Sequence, residues 1–367
     1  MISENSYTTQ WLDSRVREFE ANSYDLAEKM VYAITLLEQL RFKGLDFIFK
    51  GGTSLILMSD HFHRFSKDID ILIPKKPANL TEIFDVVVAT SPFIRWEPSE
   101  RKNDEFQVSK EHYKFIYQQS KGSKYPEQPI LLDIIFVENH YPITHTVAIK
   151  HALLDTAEPY AYVVVPTLDA ITGDKLTAFA PATIGIPVGK GKDVEIAKQL
   201  FDLNMLFTRI ESTEIVAQSF TQTAAMVTQY YQKPFTTNDI YRDIIDTAFT
   251  MALTGKYNPE LYNEISTGVK ALSQYLGKKT KFGYHTALTA SAKIAYLAAC
   301  LMTEHELIRY NWNTIKPQYL INRKIDHQKY YVLQKALKAG YPEAWFYWLQ
   351  TSEILSSPKY ISREKYS

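Results

Sequence analysis

Hydrophobic and polar positions in the first 165 residues alternate between helical and strand spacing. Residues 24–43 place apolar side chains three and four positions apart, which predicts a helix. A second helix is predicted to begin at residues 79–82. Short apolar runs predict strands at 47–49, around Asp68 and Asp70, and at 93–96, 112–117, 130–137 and 160–165.

Beyond residue 166 the spacing is helical almost throughout, with Gly or Pro between several segments. Helices are predicted at 168–179, 194–209, 214–231, 239–253, 259–276, 285–308 and 328–355. The pattern predicts an α+β protein, in which a mixed sheet flanked by helices is followed by a mainly helical domain. We expect the two domains at 1–165 and 166–367.

The stretch 47–74 combines apolar segments with polar residues that carry chemistry. It reads FIFKGGTSLILMSDHFHRFSKDIDILIP, which predicts a strand, a glycine turn, a helix beginning at Thr53 or Ser54, and a second strand. Because strand side chains alternate between faces, Asp68 and Asp70 should project together while Ile69 and Ile71 face the core.

Two neighbouring carboxylates repel each other by roughly 4 kcal/mol at about 4 Å and an effective dielectric near 20. A divalent cation removes that cost, and oxygen ligands of this kind suit Mg²⁺ or Mn²⁺. Glycines at 51 and 52 let backbone N–H groups approach a phosphate, next to the positive end of the following helix. The stretch therefore predicts a site for a metal and a triphosphate.

Composition limits the classes of protein to consider. The chain has 41 basic and 41 acidic residues, which argues against binding nucleic acid through bulk charge. Its one cysteine, Cys300, excludes an internal disulfide and fits a reducing compartment. No apolar run of 18 residues and no apolar signal core appear, so a cytoplasmic protein without a membrane segment is expected.

The motifs of this stretch resemble those of the AbiEii/AbiGii toxin family, a branch of the nucleotidyltransferase superfamily that shares its fold with DNA polymerase β. They are the triplet Gly51-Gly52-Thr53 and the heptad Arg64-Phe65-Ser66-Lys67-Asp68-Ile69-Asp70. The resemblance covers roughly residues 25–210. It implies nucleotide-binding roles for Gly51, Gly52, Thr53, Ser54, Arg64, Ser66 and Lys175.

A third carboxylate, Asp133, interrupts the apolar run 130–136. Burying a carboxylate costs several kcal/mol unless something pairs it. In the superfamily fold an acidic residue from a neighbouring strand completes the metal site and can deprotonate an attacking hydroxyl. The resemblance therefore implies that Asp68, Asp70 and Asp133 bind the metal; the alternative is an aspartate paired with a buried Arg or Lys.

Two later motifs extend the resemblance into the predicted helical domain. The segment 168–178 resembles the motif that presents a lysine, here Lys175, to the nucleotide phosphates, and the segment 192–203 resembles a motif with a functional aspartate, here Asp202. Both residues are expected to contribute to the catalytic site. The alternatives are a solvated lysine and an ordinary helical pair between Asp202 and Lys198.

These features together predict a Mg²⁺- or Mn²⁺-dependent nucleotidyltransferase that moves an NMP from an NTP to an acceptor. The expected catalytic residues are Asp68, Asp70, Asp133, Lys175 and Asp202. The resemblance further implies the toxin of a type IV-like toxin–antitoxin or phage-defence pair, with tRNA or another RNA as acceptor and a cognate antitoxin as partner. An antibiotic-type nucleotidyltransferase and a degenerate nucleotide-binding module are the alternatives.

Overall fold

A computed structural model of the chain describes residues 1–59, 64–99, 110–122, 124–232 and 234–357. Residues 60–63 of the stretch 47–74 therefore lie outside the described residues. The chain divides into two compact units. The first contains residues 1–168 and 273–281, and the second contains residues 169–272 and 282–367. A domain boundary at residue 165 stays a prediction.

The first unit is built on one mixed sheet, to which the described residues contribute seven strands. The strands are β1 (Ile48–Lys50), β2 (Ile69–Ile73), β3 (Phe93–Pro98), β4 (Lys110–Gln118), β5 (Glu127–Phe136), β6 (Thr144–Ala148) and β7 (Tyr162–Pro166). Their order across the sheet is β3-β4-β5-β2-β1-β7-β6. The pairs β2·β5 and β1·β7 are parallel, and the remaining pairs are antiparallel. The predicted mixed sheet is confirmed.

Helices of the first unit flank this sheet. They are α1 (Thr9–Glu18), α2 (Tyr24–Phe42), α3 (Gly51–Leu57) and α4 (Leu80–Ala89). Helix α2 begins behind Ser23, whose hydroxyl accepts the backbone N–H of Leu26 and caps the helix. It packs against β5, β7 and α4, and its apolar stripe is buried in the core. Burial of this stripe, predicted from its spacing, holds the helix on the sheet.

The second unit is helical in the residues that the structure describes. Its helices are α5 (Leu168–Ala178), α6 (Asp193–Phe207), α7 (Thr213–Tyr231), α8 (Thr237–Ala252), α9 (Pro259–Leu272), α10 (Tyr284–Thr303), α11 (Pro317–Ile321), α12 (Leu333–Leu337) and α13 (Pro342–Leu355). Helix α10 contacts α6, α8 and α13. It is long and apolar enough to cross a membrane, but 78% of its most apolar window is buried inside the unit, as in the core helix of a globular fold.

Several predicted elements differ from the observed ones. A single helix at 328–355 is wrong, because α12 and α13 are separate and Pro342 opens α13, where its missing N–H costs nothing. The helix predicted at 259–276 ends at Leu272, and residues 273–281 join the sheet unit. Strand β6 and the helices α1 and α11 were not predicted.

Candidate active site

The register of the sheet places four ionisable side chains in one row. Asp70 on β2 is the direct partner of Asp133 on the parallel strand β5. On the other side, Asp70 is opposite Lys50 on β1, and Asp133 is opposite His112 on β4. Direct partners in a sheet project from the same face. The row is therefore Lys50, Asp70, Asp133, His112, with two carboxylates between two basic side chains.

Asp68 lies immediately before β2, and the alternation predicted around it is observed. Ile69 and Ile71 are fully buried in the core, whereas Asp68 and Asp70 are partly exposed. Asp68 therefore joins the two carboxylates of the row at the start of β2. The expected third carboxylate from a neighbouring strand is in place.

The glycine pair, Gly51 and Gly52, packs against charged side chains of the motif at residues 64–70. Gly51 has a φ of +78°, and a Cβ there would lie 2.3 Å from Asp70 Oδ2. A Cβ on Gly52 would lie 2.3 Å from Nη2 of Arg64. Helix α3 begins at Gly51, so the prediction that it begins at Thr53 or Ser54 is wrong. The glycines thus open its first turn and make room for a carboxylate and a guanidinium.

The hydroxyls of this turn hold the two motifs together. Thr53 Oγ1 donates to the carbonyl oxygen of Asp68 at 2.6 Å and hydrogen-bonds Ser66 Oγ at 2.8 Å. Ser54 Oγ donates to the carbonyl oxygen of Gly51 at 2.9 Å. The exposed fractions of Thr53 and Ser54 are 1% and 0%. In this structure both hydroxyls are used inside the turn, and the nucleotide-binding role expected of them stays a prediction.

Arg64 is also buried, with 5% of its surface exposed, and Nη1 donates to the carbonyl oxygen of Phe65 at 3.3 Å. The backbone N–H of Phe65 donates to the carbonyl oxygen of Tyr275 at 2.8 Å. Tyr275 belongs to the segment 273–281, and no pattern in the sequence indicated that this segment contacts the motif at residues 64–70. A residue more than 200 positions later in the chain thus holds the backbone that leads into Asp68.

Asp133 is paired with a histidine on the neighbouring strand. Its Oδ1 lies 2.8 Å from Nδ1 of His112. Side-chain exposed fractions are 10% for His112 and 20% for Asp133. The sequence showed His112 only as one residue of a predicted strand, because the register that brings it to Asp133 is a tertiary property.

A further lysine lies near the start of β2. Burial and the neighbouring Lys67 ammonium lower the pKa of Lys29 on α2, and the carboxylates of Asp25 and Asp68 act in the opposite direction. The field that Lys29 experiences thus includes Asp68. Helical spacing alone predicted no functional role for this residue.

The donor set fits a hard divalent cation in its chemistry. Asp70 and Asp133 supply carboxylate oxygens from directly paired positions of two neighbouring strands, Asp68 supplies them from just before β2, and such oxygens suit Mg²⁺ or Mn²⁺. Within the described residues, no three His, Cys, Asp or Glu side chains are already grouped so that they could hold an ion.

In the helical unit, Lys175 and Asp202 form a buried ion pair. Nζ of Lys175 on α5 lies 2.7 Å from Oδ2 of Asp202 on α6, with side-chain exposed fractions of 6% and 3%. Nζ also donates to Gln199 Oε1 at 3.3 Å. The solvated-lysine interpretation is therefore wrong. The catalytic roles expected of both residues stay predictions, and their mutual contact is what the structure establishes.

Comparison with known proteins agrees with this arrangement. The family model described as nucleotidyl transferase AbiEii toxin, type IV toxin–antitoxin system, matches residues 35–268, more than half of the chain. The chain belongs to the AbiEii family. It is therefore a nucleotidyltransferase of a family whose members are toxins of type IV systems, and the predicted family and enzyme class are confirmed.

Two solved structures are similar to this AbiEii family member. A candidate nucleotidyltransferase from Helicobacter pylori has 16% identity and a TM-score of 0.43, covering 78% of this chain and 97% of the other. JHP933 from the same organism has 17% identity and a TM-score of 0.40, covering 83% and 94%. No curated protein matched the chain.

We expect Gly51→Ala to destabilise the protein more than Gly44→Ala. Both glycines have a positive φ, +78° and +83°, but a Cβ at Gly44 meets nothing within 4 Å. Gly44→Ala should therefore cost only the backbone penalty of about 1–2 kcal/mol. Gly51→Ala should add about 1–3 kcal/mol, because the Asp70 carboxylate must move. Urea unfolding of the two variants measures the difference; equal losses would contradict the contact.

The Lys175–Asp202 pair predicts a large stability loss for Lys175→Ala, about 3–5 kcal/mol, because the Asp202 carboxylate would stay buried after losing the ammonium 2.7 Å from it. Replacing both residues by apolar ones should cost much less. The control is Lys293→Ala, which breaks the more exposed pair with Glu343 in the same unit and should cost under about 1 kcal/mol. Similar losses in the two single variants, measured by urea unfolding, would refute the prediction.

Proposed function

We propose that this AbiEii family member is a divalent-metal-dependent enzyme that transfers an NMP from an NTP to a hydroxyl of tRNA. The observation that supports it most is the placement of Asp70 beside Asp133, with Asp68 two residues before Asp70 and Gly51 packed against the Asp70 carboxylate. Three carboxylates so close are costly unless a cation binds them. Asp68, Asp70 and Asp133 would hold the metal ion.

In the proposed reaction, the acceptor hydroxyl oxygen attacks the α-phosphorus of the NTP. A new P–O bond forms to the acceptor, the bond between the α-phosphorus and the bridging oxygen breaks, and pyrophosphate leaves. Asp133 takes the proton of the attacking hydroxyl. The bound cation supplies charge neutralisation at the phosphates.

The remaining residues bind and position the triphosphate. Backbone N–H groups at Gly51 and Gly52 face the phosphates, where the absence of side chains permits a close approach. Lys175 supplies a compact positive charge to them, as the family resemblance implies, and Asp202 orients that lysine. Arg64, Ser66, Thr53 and Ser54 act indirectly by fixing the turn. Catalysis comes from positioning and charge.

The biological role follows from the family. A type IV toxin has a cognate antitoxin, and nucleotidyl transfer to tRNA would stop translation and so arrest growth. Phage defence is a natural use of such an arrest, and a cytoplasmic location would give access to both NTP and tRNA. Equal numbers of basic and acidic residues mean that RNA binding requires a local basic surface rather than net charge.

The chemistry is tested with the full chain, Mg²⁺, each labelled NTP and either total tRNA or a panel of small hydroxylated acceptors. We expect label in tRNA. Removing a residue that only orients a metal ligand typically costs roughly 10- to 100-fold in activity. Because Asp70 would itself bind the metal, Asp70→Asn should reduce incorporation of label by more than that. Stability should not fall, because the substitution relieves repulsion. Asp46→Asn, at a carboxylate that is 93% exposed, is the control.

Label in the small acceptors alone would replace tRNA by an antibiotic-type substrate. Wild-type transfer by folded Asp70→Asn would remove Asp70 from the site.

Toxicity is a separate prediction. Induced expression of the wild-type chain should slow growth of a bacterial host, because tRNA blocked by an added nucleotide cannot be used in translation. The Asp70→Asn variant, expressed to the same level by immunoblot, should leave growth unchanged. Equal growth curves for the two proteins would count against a toxin that acts through this site.

A further inference from the structure

We propose that His112 is a positioning residue for Asp133, which it holds in the orientation that the metal requires. The inference rests on the proposed function, in which Asp133 is a metal ligand. It concerns a residue that lies outside the motifs of the stretch 47–74 and on a different strand.

The contact between the two side chains is built into the sheet. His112 and Asp133 are direct partners in the antiparallel pair β4·β5, so both project from the same face. The imidazole Nδ1 lies 2.8 Å from Asp133 Oδ1, and only 10% of the His112 side chain is exposed. The carbonyl oxygen of His112 also accepts the backbone N–H of Ser99 at 2.7 Å. Strand β4 is thus paired on both sides, which limits movement of the imidazole.

The direction of the hydrogen bond follows from the chemistry of its partners. A carboxylate oxygen can only accept, so the imidazole carries its hydrogen on Nδ1 and donates it. A donor fixed on Oδ1 sets the plane of the carboxylate, and therefore also the direction of Oδ2. A ligand oxygen held in this way does not have to be ordered when the ion binds.

The neighbouring Asp70 makes such a donor useful. Asp70 is the direct partner of Asp133 on the other side, and repulsion between the two carboxylates favours rotation of each away from the other. A hydrogen bond to an ionised acceptor is stronger than one between neutral groups and opposes that rotation. We infer that His112 keeps Asp133 in place before the ion arrives.

The test compares two substitutions that differ in one donor. His112→Asn places an amide nitrogen near the position of Nδ1 and keeps the hydrogen bond, whereas His112→Phe keeps a ring and removes the donor. The affinity of the full-length protein for Mn²⁺ alone is measured by electron paramagnetic resonance. We expect His112→Phe to weaken Mn²⁺ binding about 10- to 100-fold and His112→Asn to stay within about threefold of wild type. Transfer rates should follow the same order.

Control variants separate this inference from the proposed function. Glu111→Gln alters the same strand on its other face, where Glu111 contacts Lys76 and Tyr113, and should leave Mn²⁺ affinity unchanged. Asp70→Asn should weaken Mn²⁺ binding. If it does not, the metal site itself is misplaced and both ideas fail.

If Asp70→Asn weakens binding but His112→Phe does not, only the positioning role fails. Equal weakening in His112→Asn and His112→Phe also overturns it, because the donor would then be irrelevant. Should His112→Phe not fold, His112→Leu replaces it as the variant without a donor, with the same expected loss.

Discussion

Repulsion between two carboxylates on neighbouring strands is the constraint on which the arrangement of the candidate site depends. At the strand spacing of about 4.8 Å, two carboxylates in register repel by roughly 3 kcal/mol at an effective dielectric near 20. The sheet places Asp70 and Asp133 in such a register and puts Lys50 and His112 on their outer sides. The Lys50 ammonium at one end of the row and the hydrogen bond from His112 at the other offset part of the repulsion. The arrangement stays costly in a way that a divalent cation would relieve.

The two motifs of the stretch 47–74, at residues 51–53 and 64–70, are in contact with each other. Gly51 leaves room for Asp70, Gly52 leaves room for Arg64, and Thr53 bonds the backbone at Asp68. Each small or hydroxylated residue of the first motif thus meets a charged residue or the backbone of the second. This mutual fit gives a physical reason for the motifs to occur together, separate from any contact with a nucleotide.

The helical unit has its own buried charge. A lysine and an aspartate with 6% and 3% exposed side chains hold α5 and α6 together. Such a pair is expensive to desolvate and expensive to break, so its net contribution to stability is smaller than the loss expected when one partner is removed. The same lysine is the one that the resemblance assigns to phosphate. A residue with both roles would couple nucleotide binding to the packing of these helices.

Local pattern was enough for part of the site. Glycine pair, Arg-x-Ser and Asp-x-Asp spacing indicated the family, and the alternation of Asp68, Ile69, Asp70 and Ile71 indicated which side chains are buried. These properties depend on residues close together in the chain, where periodicity translates directly into direction. Helix and strand types were mostly predictable for the same reason, although the break before Pro342 was not recognised.

Long-range pairing decided the rest. Nothing local in the sequence sets the register of β4 on β5, so the meeting of His112 with Asp133 could not be read from either segment. The burial of Thr53 and Ser54 and the bond from Phe65 to Tyr275 depend in the same way on elements far apart in the chain. The family and the chemical groups of the candidate site were therefore predictable from sequence. Which of those groups touch was not, because strand register and side-chain burial arise from contacts between distant segments.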